Sequence, residues 1–488
     1  MKTVSVERRL TASVFCAAFL FYLSFRSLAF NFDGVACAIA VELSDFKHLV
    51  HGNHLAYGVV AWLFDRAWRV LGYRGQALLP LQVLDSLLGA AGAAAFASLL
   101  RRSGRTERES ALGAAALAVS SAWWFWSLEA QVYMLGALFA ALAAREALDE
   151  KPRPAVVGLW HAAAVLGHVG HAMALPALAW ALSRKEGRRR LPTYLSALGA
   201  SVLLAYAVAG VFAVRPASAE ELRLWLLGSA ALGVDRAFSW HAAPAAQAFP
   251  AWAQMTLRIF CDFLGRPAGW RAVGLLLGAL PLAAAVAGAV RGDRRARFWL
   301  IWLAGYAALF LNWEPYTPVY RVGDLLALWA LALIGMESWP ARARAFALTA
   351  WIAAAASFNF AFTVKPASEP GANKDLAEAR WCAERVPAEA WVLSYGNGSV
   401  YLPYFAHLRT VNLRYLQDAG ALEQRLDQLN ARGEAVYATD RTLESTGSLA
   451  ALASYGLEAG ASADGLTLYR VRRPVRSAAS RAAAGRKN

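Results

Sequence analysis

The stretch LTASVFCAAFLFYLSFRSLAF, Leu10–Phe30, runs directly into Asn31-Phe32-Asp33-Gly34. About twenty largely apolar residues are long enough to cross a bilayer as one helix. The stretch therefore reads as a first span that delivers the carboxylate of Asp33 to a membrane surface. A polar, His-rich segment follows, with Glu42, Asp45, Lys47, His48, His51, Asn53 and His54. A charge inside a span costs roughly 2.5–3.5 kcal/mol on insertion scales, so a carboxylate at its mouth has water, a partner or chemistry to do.

The rest of the composition agrees with a membrane protein. Of 488 residues, 58% are hydrophobic and the mean hydropathy is +0.36, with apolar runs broken by short basic loops. The net charge of +15 raises a nucleic-acid partner. That partner is set aside because the arginines cluster between apolar runs, as the positive-inside rule predicts. Many of the 19 tryptophans, such as Trp123, Trp124, Trp126, Trp313 and Trp339, stand near span ends as in an interfacial belt. Cys16, Cys37, Cys261 and Cys382 have neither CxxC nor zinc spacing. The basic, apolar N-terminus has no small-residue cleavage site and reads as an uncleaved span.

Lys2, Arg8 and Arg9 place the N-terminus in the cytoplasm and Asp33 outside. Further spans are predicted near residues 77–100, 110–128, 130–147, 155–169, 171–183, 191–213, 270–290, a ninth ending at Asn312, a tenth from Arg321 to Trp339, and 345–364. With about eleven spans, every strongly basic loop falls on one side. Glu220 to Gly233, and the segment from His54 to Leu71, read as amphipathic helices lying in the interface. After residue 365 the composition changes. Residues 366–475 read as a small extracytoplasmic α/β domain with a parallel, Rossmann-like sheet, its strands near 390–394, 434–439 and 466–471. The tail 476–488 is basic, Ala/Ser-rich and expected to be disordered. The fold class is thus an α-helical polytopic membrane domain, 1–365, followed by that α/β domain.

The outer face gathers Asp33, Glu42, Asp45, the histidines, Glu129, Asp235, Glu314, Arg321 and Asp324. An acidic outer site, an interfacial platform and an arginine suit an amphiphilic substrate with a lipid tail and a phosphate head. These residues resemble the GT-C superfamily of integral-membrane glycosyltransferases, its protein O-mannosyltransferase-like members in particular. The carriers of the resemblance are Phe32-Asp33-Gly34, Asn53-His54-Leu55-x-Tyr57, Glu129-Ala130-Gln131-Val132-Tyr133 and Trp313-Glu314-Pro315, with the C-terminal domain. One position departs: Ala36 stands where related sequences often carry a second acid, for which Glu42 or Asp45 would substitute.

The resemblance implies sugar transfer from a polyprenyl-phosphate donor to a lipid, glycan or protein acceptor, in the plasma membrane of a bacterium. The leaving group is an already ionised phosphate and needs no acid, so the enzyme must take the acceptor proton and hold the departing anion. Asp33 is then the base of an inverting displacement, and Glu129 orients acceptor or sugar. His54, Tyr57, Glu42, Asp45, Glu314 and Arg321 bind substrate. Arg321 offers a bidentate fork to phosphate, with Lys47 or Arg236 as weaker choices. No metal ligands are assigned, since His48, His51 and His54 have no matching second cluster; a divalent cation is a candidate cofactor. His161, His168 and His171 read as packing partners, and Gly396-Asn397-Gly398 as a turn. Two other classes fit the same chain. A transporter or flippase of a lipid-linked saccharide would favour polar residues at mid-membrane, and a non-catalytic sensor or assembly protein would use the C-terminal domain to bind partners.

Overall fold

The computed structural model describes residues 2–186, 188–227, 245–413, 419–446, 452, 455–463 and 465–472. Asp235, Arg236, part of the 220–233 helix and the tail 476–488 lie outside the described residues. The chain divides into two compact units, Met1–Ala372 and Asn373–Asn488.

Among the described residues the regular structure of the first unit is helical: α1 (Lys2–Leu23), α2 (Phe32–Leu43), α3 (Phe46–Leu49), α4 (Tyr57–Val70), α5 (Leu78–Arg102), α6 (Glu107–Val119), α7 (Ser121–Trp126), α8 (Tyr133–Leu148) and α9 (Pro154–Gly167). It continues through α10 (Leu175–Glu186), α11 (Leu191–Ala209), α12 (Ala219–Leu227), α13 (Ala245–Arg258), α14 (Ala268–Arg291), α15 (Arg294–Asn312), α16 (Val322–Gly335), α17 (Ala341–Asn359) and α18 (Lys365–Ser368). Among the described residues five segments are long and apolar enough to cross a membrane: Leu78–Arg102, Leu191–Val214, Ala268–Arg291, Pro318–Ser338 and Ala341–Ser368. The other expected spans correspond to helices that are shorter or carry more charge. This is a multi-pass helical membrane protein.

Burial separates the spans into an inner and an outer set. The apolar windows of Leu78–Arg102 and Pro318–Ser338 are 83% and 94% buried by protein, whereas that of Leu191–Val214 is 11% buried and must meet lipid. Helix α5 packs on α1 and α8, and α16 on α14 and α15. At the α14–α16 crossing the backbones nearly touch. A Cβ on Gly288 would stand 2.0 Å from the Leu331 carbonyl oxygen, and one on Gly335 would stand 2.0 Å from that of Ala284. Only glycine admits such an approach, the usual device where apolar side chains gain nothing by leaving lipid.

The first span ends earlier than its hydropathy suggests. Helix α1 stops at Leu23, and residues 25–31 run without helix before α2 begins. Cross-chain bonds replace the helical ladder there: Leu28 N donates to Ala367 O at 2.7 Å, and Gln82 Nε2 to Ser27 O at 2.9 Å. Phe30, buried, takes a left-handed φ of 35°, a conformation that side-chain-bearing residues hold only when their surroundings impose it. Asp33 therefore lies not at the end of α1 but in the first turn of a separate helix.

The second unit carries β1 (Trp391–Ser394), β2 (Arg409–Asn412), β3 (Val436–Thr439), β4 (Gly456–Ala463) and β5 (Leu466–Arg472) in the order β2-β1-β3-β5-β4. Helices α19 (Lys374–Ala383), α20 (Gly398–Ala406), α21 (Ala419–Ala431) and α22 (Asp440–Thr446) alternate with them. Leu393, Val411, Leu426, Leu429, Val436 and Ala438 form its core. Strands β1, β2 and β3 are parallel, as the alternation predicts, but β5 pairs antiparallel with β3 and with β4. The expectation of a wholly parallel sheet is thus corrected to a mixed one. The sequence of β4, GLEAGASA, is poor in the branched and aromatic residues that mark strands, and its pairing with β5 makes it one.

Candidate active site

Asn31 caps α2, its Oδ1 accepting from Gly34 N at 3.1 Å and from Gln131 Nε2. The same turn is pressed against the segment before α8. A Cβ on Gly34 would lie 2.2 Å from the Ala130 carbonyl oxygen, so glycine is required for this approach. Asp33 is exposed in that turn, where the unpaired N–H groups and dipole of a helix start favour a carboxylate.

Its surroundings are aromatic. The Asp33 carboxylate acts electrostatically on both Tyr133 and Tyr320, and Glu314 acts on the same two phenols. The Tyr133 and Tyr320 rings meet edge-on at 5.5 Å, and Trp313 lies 4.6 Å from Tyr320. His168 contacts both tyrosines, at 4.8 and 5.8 Å. His51 and His54 stack at 4.3 Å, and His54 is an electrostatic neighbour of His168. Burial, with His48 adding to it, pushes His51 down to about 4. Burial, then His51 and His168, holds His54 well below the usual histidine range. Both rings are neutral at pH 7. The Nδ1 of His54 is buried with no hydrogen-bond partner among the described residues.

Beneath this surface lies a buried polar layer. Glu129 is 1% exposed and accepts a hydrogen bond from Ser27 Oγ; burial pushes its carboxyl up to about 7 against the opposing pull of that bond. Asp85, on α5, accepts from Tyr57 Oη and, at 3.0 Å, from Gln131 N, while its Oδ1 is buried without a partner. Ser86 Oγ donates to Ser127 O at 2.8 Å. These bonds tie α5 to the segment between α7 and α8. That segment in turn holds the cap of α2.

The structure thus brings Asp33, Glu129, His54, Tyr57 and Glu314 into one neighbourhood. Glu314 Oε2 also accepts from Thr317 Oγ1 at 2.7 Å. Other expected residues have different surroundings. Glu42 accepts from Ala77 N at 2.7 Å, at the start of α5. Asp45 caps α3 and meets His48 Nδ1 at 2.6 Å. Lys47 pairs with Glu221 at 2.9 Å. Arg321 is 0% exposed; it pairs with Asp324, donates to Thr256 Oγ1 at 2.9 Å and lies over the Trp252 ring at 4.9 Å. Its fork is spent on packing α13 against the start of α16, which corrects the expectation of an open phosphate clamp. Asp85, Tyr320 and His168 are the members that sequence reasoning did not assign. Asp85 carried a readable signal, an ionisable residue inside an apolar run. Among the described residues no group of three or more His, Cys, Asp or Glu is arranged to hold a metal ion.

No family model matches the chain, and no curated protein matches its sequence. Solved structures do. The crystal structure of ArnT from Cupriavidus metallidurans bound to undecaprenyl phosphate superimposes with a TM-score of 0.60 at 14% identity, covering 96% of this chain and 98% of that one. The apo structure of the same protein gives 0.63 at 13% identity with the same coverage. Both units take part at that coverage, and the chain resembles ArnT in fold over 96% of its length.

Proposed function

We propose that this chain is a GT-C-type membrane glycosyltransferase that moves a sugar from a polyprenyl-phosphate donor to a lipid, glycan or protein acceptor. The observation that carries the proposal is Asp33. It is an exposed carboxylate at a helix start, wedged by Gly34 against Ala130 and set beside the Tyr133–Tyr320 pair. The likeness to a fold whose solved structure holds undecaprenyl phosphate supports the donor class.

In this reading Asp33 takes the acceptor hydroxyl proton as the acceptor oxygen bonds to the anomeric carbon. The bond from that carbon to the phosphate oxygen breaks on the opposite face. Its electron pair leaves with the polyprenyl phosphate, and the anomeric centre inverts. Tyr133, Tyr320 and Trp313 offer ring faces and hydroxyls to the sugar. His54 offers an unpartnered Nδ1, and a phosphate oxygen beside it would favour a proton on that ring. Glu129, its carboxyl pushed up by burial, lies in the polar layer under the turn that carries Asp33 and supports it. The membrane is that of a bacterial cell, with the N-terminus cytoplasmic and the C-terminal unit outside.

The test is sugar transfer in membranes expressing wild type or Asp33→Asn, with a panel of labelled polyprenyl-phosphate sugars. Loss of a catalytic base lowers turnover by roughly 10²–10⁴-fold. Equal turnover in both would remove Asp33 from the role of base. Saccharide movement across liposomes without bond cleavage would replace transfer with transport.

A further inference from the structure

The Arg-rich end of the bundle carries a second site. Asp85 stands near the start of α5 and Arg102 is its last residue, so this end lies roughly 25 Å along the helix from the site layer. A cavity of about 210 Å³ opens there, at the ends of α5, α8, α10, α15 and α16. Arg102, Arg105, Arg294 and Arg295 line it together with Trp180 and Trp299, and its apolar wall includes Leu99, Leu148 and Ile334. No carboxylate is among its lining residues.

The carboxylates stand behind the arginines. Arg102 pairs with Glu7 at 3.0 Å and with Asp149, and Arg145 reaches the same Glu7 at 3.3 Å. Glu337 collects Arg105, Arg291 at 3.2 Å and Arg295 at 2.9 Å, while Arg295 also meets Asp293 at 3.0 Å. Arg294 lines the cavity and has no ion pair among the described residues. The six guanidiniums of this cluster, Arg294 included, outnumber its four carboxylates, leaving two positive charges in excess. Each guanidinium has five N–H donors, so ion pairing on one side leaves donors for an oxyanion on the other.

We infer that this cavity binds the phosphodiester headgroup of an anionic phospholipid, with its first acyl carbons along Leu99, Leu148 and Ile334. Basic pockets between spanning helices take such headgroups, and tryptophans at the level of Trp180 and Trp299 suit the boundary where headgroup meets chain. A soluble phosphate would gain the charge but leave the apolar wall unused.

Native mass spectrometry of the full chain in neutral detergent tests this, with phosphatidylglycerol, phosphatidylcholine or glycerol 3-phosphate added in turn. One phosphatidylglycerol is expected to stay bound while phosphatidylcholine is stripped and glycerol 3-phosphate fails to displace it. Arg294→Gln is expected to weaken retention roughly fivefold and Arg294→Glu more strongly. Arg294 holds no ion pair among the described residues, so both variants keep the clamp intact. Equal retention of the two lipids, or equal retention by wild type and Arg294→Glu, would overturn the site. Displacement by glycerol 3-phosphate at the lipid's own concentration would overturn the lipid and leave a soluble anion as the occupant.

Discussion

The two ends of α5 solve the burial of charge in opposite ways. Near its start, the Oδ2 of Asp85 accepts from neutral donors, Tyr57 Oη and Gln131 N, and Glu129 accepts from Ser27 Oγ. At its last turn, Arg102 is matched by full opposite charges, Glu7 and Asp149. Neutral partners leave a carboxyl free to change protonation, because no fixed cation holds it ionised. Opposite charges lock the ionisation state and clamp helices. The first arrangement suits chemistry that moves a proton; the second suits assembly.

The sharpest way to break this contrast is Asp85→Leu. It would leave the Tyr57 hydroxyl and the Gln131 N–H buried without acceptors, and orphaned buried groups cost about 1–3 kcal/mol each. A loss of about 2–6 kcal/mol is expected in detergent melting, together with loss of the proposed sugar transfer as the Asp33 turn loses its support. Wild-type stability would show that the layer is not holding the turn.

Glu129→Gln sharpens the contrast through pH. Burial raises the Glu129 carboxyl to about 7 from its ordinary value of 4.5. A raised carboxyl contributes stability that is fully present below its unfolded value and is lost as pH rises through the folded one. Wild type should therefore lose stability between about pH 4.5 and 7, and Glu129→Gln should flatten that limb. Parallel melting profiles of the two proteins across this range would refute it.

At the other end the effect is smallest. Arg102 is partly exposed, and pairs of this kind are worth about 0–1 kcal/mol. Arg102→Gln, melted in neutral detergent without anionic lipid, should shift the midpoint by at most a few degrees and flatten with added salt. A loss as large as that of Asp85→Leu would erase the distinction between the two ends.

Much of this was legible in the sequence, and the limits have physical causes. Hydropathy located α5, α11, α14 and α17 within a few residues because length and apolarity are all that a bilayer demands. It overran α1 because Phe25, Leu28, Ala29 and Phe30 keep the stretch apolar on average after the helix stops, while Leu28 and Ser27 there bond to Ala367 and Gln82, far away in the chain. Asp33 and Glu129 stood out as acids at apolar boundaries. Asp85 carried a signal too but was passed over, since one acid in a long apolar run leaves span detection unchanged. The pairing of Tyr133 with Tyr320 joins the start of α8 to the entrance of α16, and periodicity has no term for it. Arg321 looked available from its neighbours in sequence, and the ring of Trp252 and the hydroxyl of Thr256 close over it only in three dimensions.

The burial of α16 has a consequence for synthesis. The segment Pro318–Ser338 is the most enclosed of the five spanning segments among the described residues, yet three of the other four precede it in the chain. Until the ribosome has released it, α14 has no glycine-lined groove to close on, and Tyr133 waits for Tyr320. A nascent chain halted before residue 318 would carry Asp33, Tyr133 and Trp313 without Tyr320. Completion of the bundle core is therefore a late event of translation, and an insertion factor that retains early spans until α16 arrives would act directly on the yield of folded protein.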